Sequence, residues 1–211
     1  DILNPYSFLV LNNTRVFPAR LRAHRPGRQE EIEILLVREQ APGEWQALLK
    51  PARKAPVGQE LLLKGLRALV AGNTDSGGRL LRFEPGEHVM EALQEIGEPP
   101  LPPYIHRVNR EFTEDRTRYQ TVYARHTGSV AAPTAGLHFT AESLNRLQSA
   151  GIGRCEILLH VGYGTFQPVR CEEVENHRME PEYYEVSQDN AVCIRKFKSE
   201  GRKLIAVGST T

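Results

Sequence analysis

The stretch RCEILLHVGYGTF, residues 154 to 166, joins a strand pattern to a glycine-rich loop. Its near-continuous apolar first half is typical of a parallel strand that is covered on both faces. In its second half, Gly162 and Gly164 flank Tyr163, so the backbone can approach a ligand closely, although a tight turn without a ligand would use the same glycines. Ligands of open parallel sheets bind beyond the carboxyl ends of the strands, and the stretch therefore predicts a ligand loop on an α/β fold.

The flanking segments extend this α/β pattern along the chain. Thr140 is a good N-cap for a helix that ends at Gly151, shortly before the apolar strand. Ser187 caps a further helix, and KLIAVGST (203 to 210) is the next strand. This half of the chain therefore alternates strands and helices as an α/β domain does.

The first ninety residues have a different pattern, in which short β-rich runs are separated by turn signals. Many short strands at close spacing predict a small barrel or sandwich. The period then becomes helical in EHVMEALQEIG (87 to 97), and TRYQTVYARH (117 to 126) predicts another helix. We therefore expect a β-barrel-like domain over 1–86, whose first strand could belong to the α/β domain, and an α/β domain over 87–211 that is incomplete at its C-terminus. The β-rich runs are FLVLN, VFPARLRA, EIEILLV, EWQALLK, QELLLKG, LRALVAG and RLLRFE.

The composition is that of an ordinary globular protein, with 211 residues, 40% of them hydrophobic and 25% charged. No apolar run approaches the roughly 18 residues that a membrane span needs, so we expect a cytoplasmic protein. The three cysteines, Cys155, Cys171 and Cys193, fit neither a zinc knuckle nor a disulfide framework, and we expect them to be reduced. The chain starts at Asp1 and stops at the end of a strand, which indicates a piece of a longer protein.

Basic residues are concentrated near the start of the chain, although the net charge of +1 gives no global argument for nucleic acid. Residues 2 to 29 contain no acidic side chain. The segment is either a solvated strand face with extended arginines or a surface that meets phosphates. Its arginines are Arg15, Arg20, Arg22, Arg25 and Arg28.

Three histidines lie in segments rich in turns or next to predicted strand ends, namely His138, His160 and His177. They could hold a metal, but no HExxH or paired-cysteine spacing accompanies them. Satisfied core or loop histidines are a second interpretation, and proton transfer is a third for His138 and His160. Ser129 lies in no nucleophile elbow, and the segment NHRMEPEYYEV (176 to 186) would also suit a solvated loop before an edge strand.

Together these motifs resemble the S-adenosylmethionine:tRNA ribosyltransferase-isomerase family. The similarity covers essentially the whole chain, while members of the family extend beyond both of its ends. The matching segments are LVLNNTRVFPARL (9 to 21), LPPYI (101 to 105), DRTRYQTVYA (115 to 124), GSVAAPTAGLHFT (128 to 140), HVGYGTFQPV (160 to 169) and HRMEPEYYEV (177 to 186).

The resemblance implies a mixed α/β fold with a parallel-rich sheet and an inserted small β-barrel. It implies an enzyme that moves the ribosyl group of S-adenosylmethionine onto 7-aminomethyl-7-deazaguanine at the wobble position of tRNAs with GUN anticodons. The product is epoxyqueuosine, and adenine and methionine are released. The resemblance further implies a monomer that needs no metal and does not associate with a membrane.

The chemistry of such a reaction assigns roles to the motif residues. Protons on the carbon beside a sulfonium are acidic, and a neutral histidine near pH 7 suits their removal from C5′. We expect His138 or His160 to handle protons, with a slight preference for His138, and Thr134 to assist. The expected S-adenosylmethionine residues are Gly136, Phe139, Gly162, Tyr163, Gly164, Thr165 and Phe166, with Arg178 and Glu180 at the rim, and the expected tRNA contacts are Arg15, Arg20 and Arg22.

Two other functions stay open at this point. A non-catalytic RNA-binding module would use the barrel and the basic segment to bind a stem-loop, and its glycine loops would be plain turns. A metal-dependent hydrolase would use the histidines as ligands.

Overall fold

A computed structural model of the chain describes residues 3–75, 77–102, 104–105, 112–166, 171–176 and 181–211. The strands in chain order are β1 (Ser7–Asn12), β2 (Thr14–Val16), β3 (Arg20–His24), β4 (Glu31–Ala41), β5 (Glu44–Lys50), β6 (Glu60–Leu63), β7 (Leu66–Asn73), β8 (Arg79–Glu84), β9 (His126–Ser129), β10 (Gly153–Leu159), β11 (Tyr184–Glu185) and β12 (Lys203–Ala206). The α-helices are α1 (Val89–Ile96), α2 (Thr113–Arg118), α3 (Ala141–Ser149) and α4 (Gln188–Ser199).

The chain divides into two compact units. One, here called the α/β unit, consists of Asp1–Val16 and Thr117–Thr211, and the other, the barrel unit, is Phe17–Arg116. The domain limits expected from the sequence, 1–86 and 87–211, stay a prediction. No helix among the described residues is long and apolar enough to cross a membrane.

The α/β unit is built on a four-stranded sheet in the order β11-β10-β1-β12. The central strand β1 is parallel to both β10 and β12, with Phe8 opposite Gly153 on one side and Leu204 on the other. β11 is an antiparallel edge strand beside the end of β10. A second, two-stranded parallel sheet joins β2 to β9.

Both faces of β1 are covered, as is usual for a strand between two parallel neighbours. Phe8 and Val10 pack on one face with Cys155 and Phe197, whose ring centroid lies 5.0 Å from that of Phe8. The alternate residues, Leu9 and Leu11, belong to a separate cluster on the other face that includes Leu144 of α3. Each such buried side chain contributes roughly 1.5–3 kcal/mol of hydrophobic stabilisation.

The expectation that all the cysteines are reduced is wrong for two of them. Cys155 of β10 and Cys193 of α4 form a disulfide, with Cα atoms 6.4 Å apart, and Cys171 is free. The pairing follows from α4 packing on β10, which brings together two cysteines 38 positions apart that no local spacing motif relates.

The barrel unit is a closed six-stranded barrel in the order β3-β4-β5-β8-β7-β6. Burial alternates along its strands, so that Leu21 and Ala23 of β3 point inward while the alternate residues Arg20 and Arg22 face outward. The prediction of a mixed α/β protein with a parallel-rich sheet and a small β-barrel is therefore confirmed.

The sequence signals for helices are confirmed in three cases. Gly97 follows α1, Thr140 caps α3 through a capping box with Ser143, and the Ser187 hydroxyl caps α4.

The helix predicted over 117 to 126 is wrong. α2 ends at Arg118, and the chain then turns, with the Ala124 amide donating to the Thr121 carbonyl. The amides of Arg125 and His126 instead donate to the Asn13 carbonyl, so a tertiary partner replaces the helical one.

Candidate active site

The carboxyl ends of three parallel strands are held together by one side chain, Asn12 at the end of β1. Asn12 is fully buried. Its amide nitrogen donates to the carbonyls of Leu159, at the end of β10, and Thr210, beyond β12, at 2.9 and 3.0 Å. Its amide oxygen accepts from the backbone N–H groups of Leu159 and Thr14, at 3.1 Å each. The rim of the sheet at which open α/β proteins bind ligands is therefore fixed in this unit.

His160 follows β10 at this rim and is held from two sides. Its Nδ1 atom lies 2.8 Å from Oγ1 of Thr14, a fully buried residue that begins β2. Its backbone N–H donates to the carbonyl of Tyr183 at 2.9 Å, and the two rings stack with centroids 5.7 Å apart. Both the position and the orientation of the imidazole are therefore set by contacts with distant parts of the chain.

The third contact of His160 requires a glycine. A Cβ atom at Gly128 would lie 2.5 Å from Nε2 of the imidazole, so any other residue there would displace the ring. The adjoining Ser129 fixes the distance between the segments, because its hydroxyl donates to the Ala131 carbonyl and accepts from the Val161 amide at 2.7 and 3.0 Å. Gly128 thus allows its backbone to pack closely against the imidazole ring.

The surroundings of His160 favour its neutral form. Burial lowers the pKa of His160 below the usual 6.5, and the positive charge of His126 lowers this pKa further. A neutral imidazole at pH 7 has a basic nitrogen, and a proton on Nδ1 would be shared with Thr14. In the tautomer whose Nδ1–H donates to Oγ1 of Thr14, Nε2 of His160 is the nitrogen that can accept a proton.

His138 lies in a different setting, in the 3₁₀ helix Thr134–His138 that precedes α3. Its side chain is exposed, and its Nδ1 lies 3.3 Å from the carbonyl of Ala135 in the same turn. Two close contacts anchor this helix. Gly136 packs against the phenol of Tyr123, and Ala135 packs against Gly208, where an added Cβ atom would lie 3.4 Å from the Cβ atom of Ala135. The turn thus adjoins the segment that follows β12.

The glycine loop after His160 forms the 3₁₀ helix Tyr163–Phe166. The Gly162 amide donates to Oε1 of Glu182 at 2.7 Å, and Gly164 is buried. Only the backbone of Thr165 and Phe166 is described, while Arg178 and Glu180 lie outside the described residues.

Several of the predicted site residues therefore belong to the same unit and the same end of its sheet. Thr134 is exposed, and Phe139 is half-buried against the core cluster that contains Leu9, Leu11 and Leu144. Within the described part of the chain, no hydrogen bond or ring contact joins His138 to His160. The roles assigned to these residues stay predictions.

Sequence reasoning missed the groups that position His160, namely Asn12, Thr14 and Gly128. The signal was present in NNT, residues 12 to 14, where polar side chains directly follow a continuous apolar strand. The polar residues after β1 and after β10 meet because the two strands are parallel and adjacent.

The arginines predicted to bind tRNA are in different situations. Arg15 is exposed on β2. In the barrel unit, Arg20 donates to the Leu101 carbonyl and lies 3.8 Å from Glu33. Arg22 pairs with three carboxylates, those of Glu31, Glu33 and Glu98, at 3.0–3.1 Å.

The metal-dependent alternative requires a cluster of ligand side chains. The described residues contain no cluster of three or more histidine, cysteine, aspartate or glutamate side chains that could hold an ion.

Comparison with known proteins identifies the family. The family model described as "Queuosine biosynthesis protein" matches residues 1–211, and the chain belongs to this family. A relative from Finegoldia magna, named S-adenosylmethionine:tRNA ribosyltransferase-isomerase, is 47% identical over 212 residues, which are all of this chain and 60% of the relative. A relative of the same name from Moorella thermoacetica is 48% identical over 99% of this chain and 60% of its own.

The chain thus spans about 60% of the length of the curated relatives it matches. A crystal structure of an S-adenosylmethionine tRNA ribosyltransferase from Thermotoga maritima is 27% identical, over 97% of this chain and 52% of that chain, with a TM-score of 0.36.

Proposed function

We propose that the protein is an S-adenosylmethionine:tRNA ribosyltransferase-isomerase. It moves the ribosyl group of S-adenosylmethionine onto 7-aminomethyl-7-deazaguanine at the wobble position of tRNA with a GUN anticodon, and epoxyqueuosine, adenine and methionine are formed. Relatives of this name that are 47–48% identical over at least 99% of the chain support the proposal. A cytoplasmic, monomeric enzyme is part of the same proposal.

One observation supports the chemistry above the others, namely the position of the His160 imidazole at the rim of the sheet, where burial lowers its pKa. Thr14 holds Nδ1 at 2.8 Å, and the backbone of Gly128 packs against the ring where any Cβ atom would collide with Nε2. We therefore assign proton removal from C5′ of the substrate to His160 rather than to His138, which is exposed and whose Nδ1 lies 3.3 Å from the Ala135 carbonyl of its own turn. A general base of this kind contributes typically 10²–10⁴-fold to a rate.

The groups around His160 suit a substrate with a positively charged sulfur. The imidazole itself is uncharged at pH 7, and the ring of Tyr183 is 56% exposed beside it. Glu182 lies at the same loop as Gly162. An aromatic face attracts a cation by about 0.5–2 kcal/mol, and a carboxylate does so through its charge. Thr134, Gly136 and Phe139 would complete the site from the turn before α3.

Replacing His160 by glutamine in the whole protein tests the proposal. We expect release of adenine from S-adenosylmethionine, in the presence of tRNA that contains the modified base, to fall by about 10²–10⁴-fold. Binding of S-adenosylmethionine, measured by calorimetry, should persist, because glutamine retains the size and polarity of the side chain.

The matched control is His138→Gln, which should reduce turnover much less. Turnover near that of the unaltered enzyme in His160→Gln would refute the role of His160. Binding of tRNA without any adenine release by the unaltered protein would favour an RNA-binding module instead. Release that a chelator abolishes would favour the metal-dependent alternative.

A further inference from the structure

The barrel unit has a groove of about 500 Å³ at one end, formed by the turns that leave two neighbouring strands. His24, the last residue of β3, pairs with Leu62 of β6 and closes the barrel there. The turn over residues 25 to 30 leads from β3 to β4, and Lys64 begins the turn from β6 to β7. Paired strands anchor both turns, so the backbone positions from which the side chains extend are fixed.

Positive charge dominates this groove. Its lining includes four permanent cations, those of Arg22, Arg25, Arg28 and Lys64, and no carboxylate. The positive charges of two of these residues are balanced by carboxylates. Arg22 pairs with Glu31, Glu33 and Glu98, and Arg25 pairs with Glu30 at 3.4 Å. Glu30 is shared with Lys54.

The other two cations are available to a ligand. Arg28 and Lys64 are both exposed, and neither side chain has a hydrogen-bond or ion-pair partner within the described part of the chain. The backbone N–H of Arg28 donates to the Arg25 carbonyl at 3.0 Å, so the turn that presents this guanidinium is closed. Two uncompensated positive charges on ordered turns form a site for an anion.

An apolar group adjoins these cations. Leu62, which is 36% exposed, and Leu63 line the same groove. A small inorganic anion would gain nothing from such a surface, whereas a nucleotide presents a sugar and a base next to its phosphate. Guanidinium groups bind phosphate oxygens in a bidentate manner, and lysine binds them as a point charge.

We propose that this groove binds phosphodiester groups of an RNA backbone, with Arg28 and Lys64 as the contacting side chains. The inference rests on the proposed function, which supplies tRNA as the substrate, and it places a backbone contact on residues other than Arg15, Arg20 and Arg22. The paired Arg22 shapes the groove, while the unpaired Arg28 and Lys64 contribute the charge that RNA neutralises.

The salt dependence of tRNA binding by the 211-residue chain tests this site. Each phosphate contact adds about 0.7–0.9 to the slope of log K against log salt concentration. In the double variant Arg28→Ala/Lys64→Ala, we expect the magnitude of the slope between 50 and 200 mM salt to fall by about 1.5. The affinity at the lower salt concentration should fall by tenfold or more.

The control is Arg38→Ala/Lys198→Ala, which also removes one arginine and one lysine charge, but at other positions. Both residues are exposed, and Arg38 lies seven residues along β4 from Glu31, roughly 23 Å from the groove end of that strand. The control should keep the slope of the unaltered chain. All the substituted side chains are at the surface, so thermal unfolding should be the same for every variant.

An equal loss of slope in both double variants would show a general charge effect and overturn the site. An unchanged slope in Arg28→Ala/Lys64→Ala, or no tRNA binding by the unaltered chain, would overturn it too. Inorganic phosphate serves as a second probe. Phosphate that binds the chain but does not compete with tRNA would overturn the RNA assignment, whereas competition would support it. The proposed function is tested separately by adenine release in the whole protein, which does not depend on these slopes.

Discussion

Oγ1 of Thr14 lies 2.8 Å from Nδ1 of His160, although 146 positions separate the two residues. The contact exists because β1 and β10 are adjacent parallel strands, so the residues that follow them emerge at the same edge of the sheet. Thr14 is fully buried and has its own amide bound to Asn12, so the hydroxyl has little freedom to follow a displaced ring. The bond therefore makes Thr14 a positioning residue for the imidazole.

Replacing Thr14 by valine should weaken the function of His160 without unfolding the protein. The substitution removes one hydrogen bond, worth about 0.5–1.5 kcal/mol, and keeps the shape of the side chain. We expect kcat for adenine release to fall by about tenfold, with KM for S-adenosylmethionine nearly unchanged. Thr14→Ser, which retains the hydroxyl, should restore most of the rate. Nitrogen NMR of His160 should show mixed tautomers in Thr14→Val, and a single unchanged tautomer would contradict the positioning role.

Replacing His126 by glutamine should raise the pKa of His160. His126 is exposed and lowers this pKa by charge repulsion, but burial is the larger cause. The pKa of His160, measured by NMR titration, should therefore rise and still lie below 6.5. His88→Gln, an exposed change in the barrel unit, should leave it unaltered.

The same shift gives a pH dependence of stability with a definite sign. The unfolded state binds a proton at His160 more readily than the folded state does, because the folded pKa is lowered. The free energy of unfolding contributed by His160 is therefore fully present above pH 6.5 and is lost as the pH falls through the folded pKa. Urea unfolding at pH 7 and pH 5 should show a smaller decrease in His160→Gln than in the unaltered chain.

Replacing Gly128 by alanine should displace the imidazole. The new methyl group would lie 2.5 Å from Nε2, and the backbone φ of +155° is itself uncommon for residues with a side chain. Overpacking of this kind costs about 1–3 kcal/mol of unfolding free energy. We also expect adenine release to be lost together with the contact between Thr14 and His160.

Gly72→Ala is the control for this change, since a Cβ atom there would lie 4.0 Å from the nearest atom, in Leu80. It should leave both the midpoint of urea unfolding and adenine release as they are. A fully active Gly128→Ala variant would mean that the position of Nε2 does not matter for the reaction.

Replacing Asn12 by leucine should destabilise the α/β unit strongly. The substitution leaves four backbone groups without their partner, one on the buried Thr14 and three on the half-buried Leu159 and Thr210. Each buried polar group left unpaired costs about 1–3 kcal/mol. We expect a loss of several kcal/mol in urea unfolding, whereas Asn73→Ala, an exposed change on β7, should cost little. A loss below about 1 kcal/mol would show that water replaces the amide.

Local sequence signals were sufficient for most of the elements and for the fold class. Capping residues such as Thr140 and Ser187 act within one turn, and apolar alternation acts within one strand, so both are visible without a structure. The helix predicted over 117 to 126 does not form, because two amides of that segment donate their hydrogen bonds to the distant Asn13 carbonyl.

The candidate site was only partly predictable, for the same physical reason. His160 and the glycines after it are recognisable, because the signal is a loop that directly follows a strand. Thr14, Asn12 and Gly128 gain their roles from contacts with residues far away in the sequence, and the disulfide between Cys155 and Cys193 does so too. Such contacts depend on which strands become neighbours, and spacing along the chain does not contain that information.

The arginines of β3 show the same dependence on strand register, and they lead to the last prediction. Arg22 lies opposite Glu33 on β4, and it pairs with Glu31, Glu33 and Glu98. Burial lowers the pKa of Arg22, but the hydrogen bond and the charge of Glu98, with Glu33 and Glu31, raise it overall. Arg22 is therefore charged and already compensated, so it has little charge to offer to RNA.

Arg22→Ala should thus affect stability more than tRNA binding. Removing the guanidinium leaves three carboxylates close together and half-buried, and breaking such a partly buried network costs on the order of 1–3 kcal/mol. We expect a lower midpoint of urea unfolding, and an unchanged salt slope of tRNA binding under conditions where the variant is folded. Arg22→Lys should recover part of the stability because it restores the charge. If Arg22→Ala instead flattens the salt slope and unfolds at the same urea concentration as the unaltered chain, Arg22 contacts RNA directly.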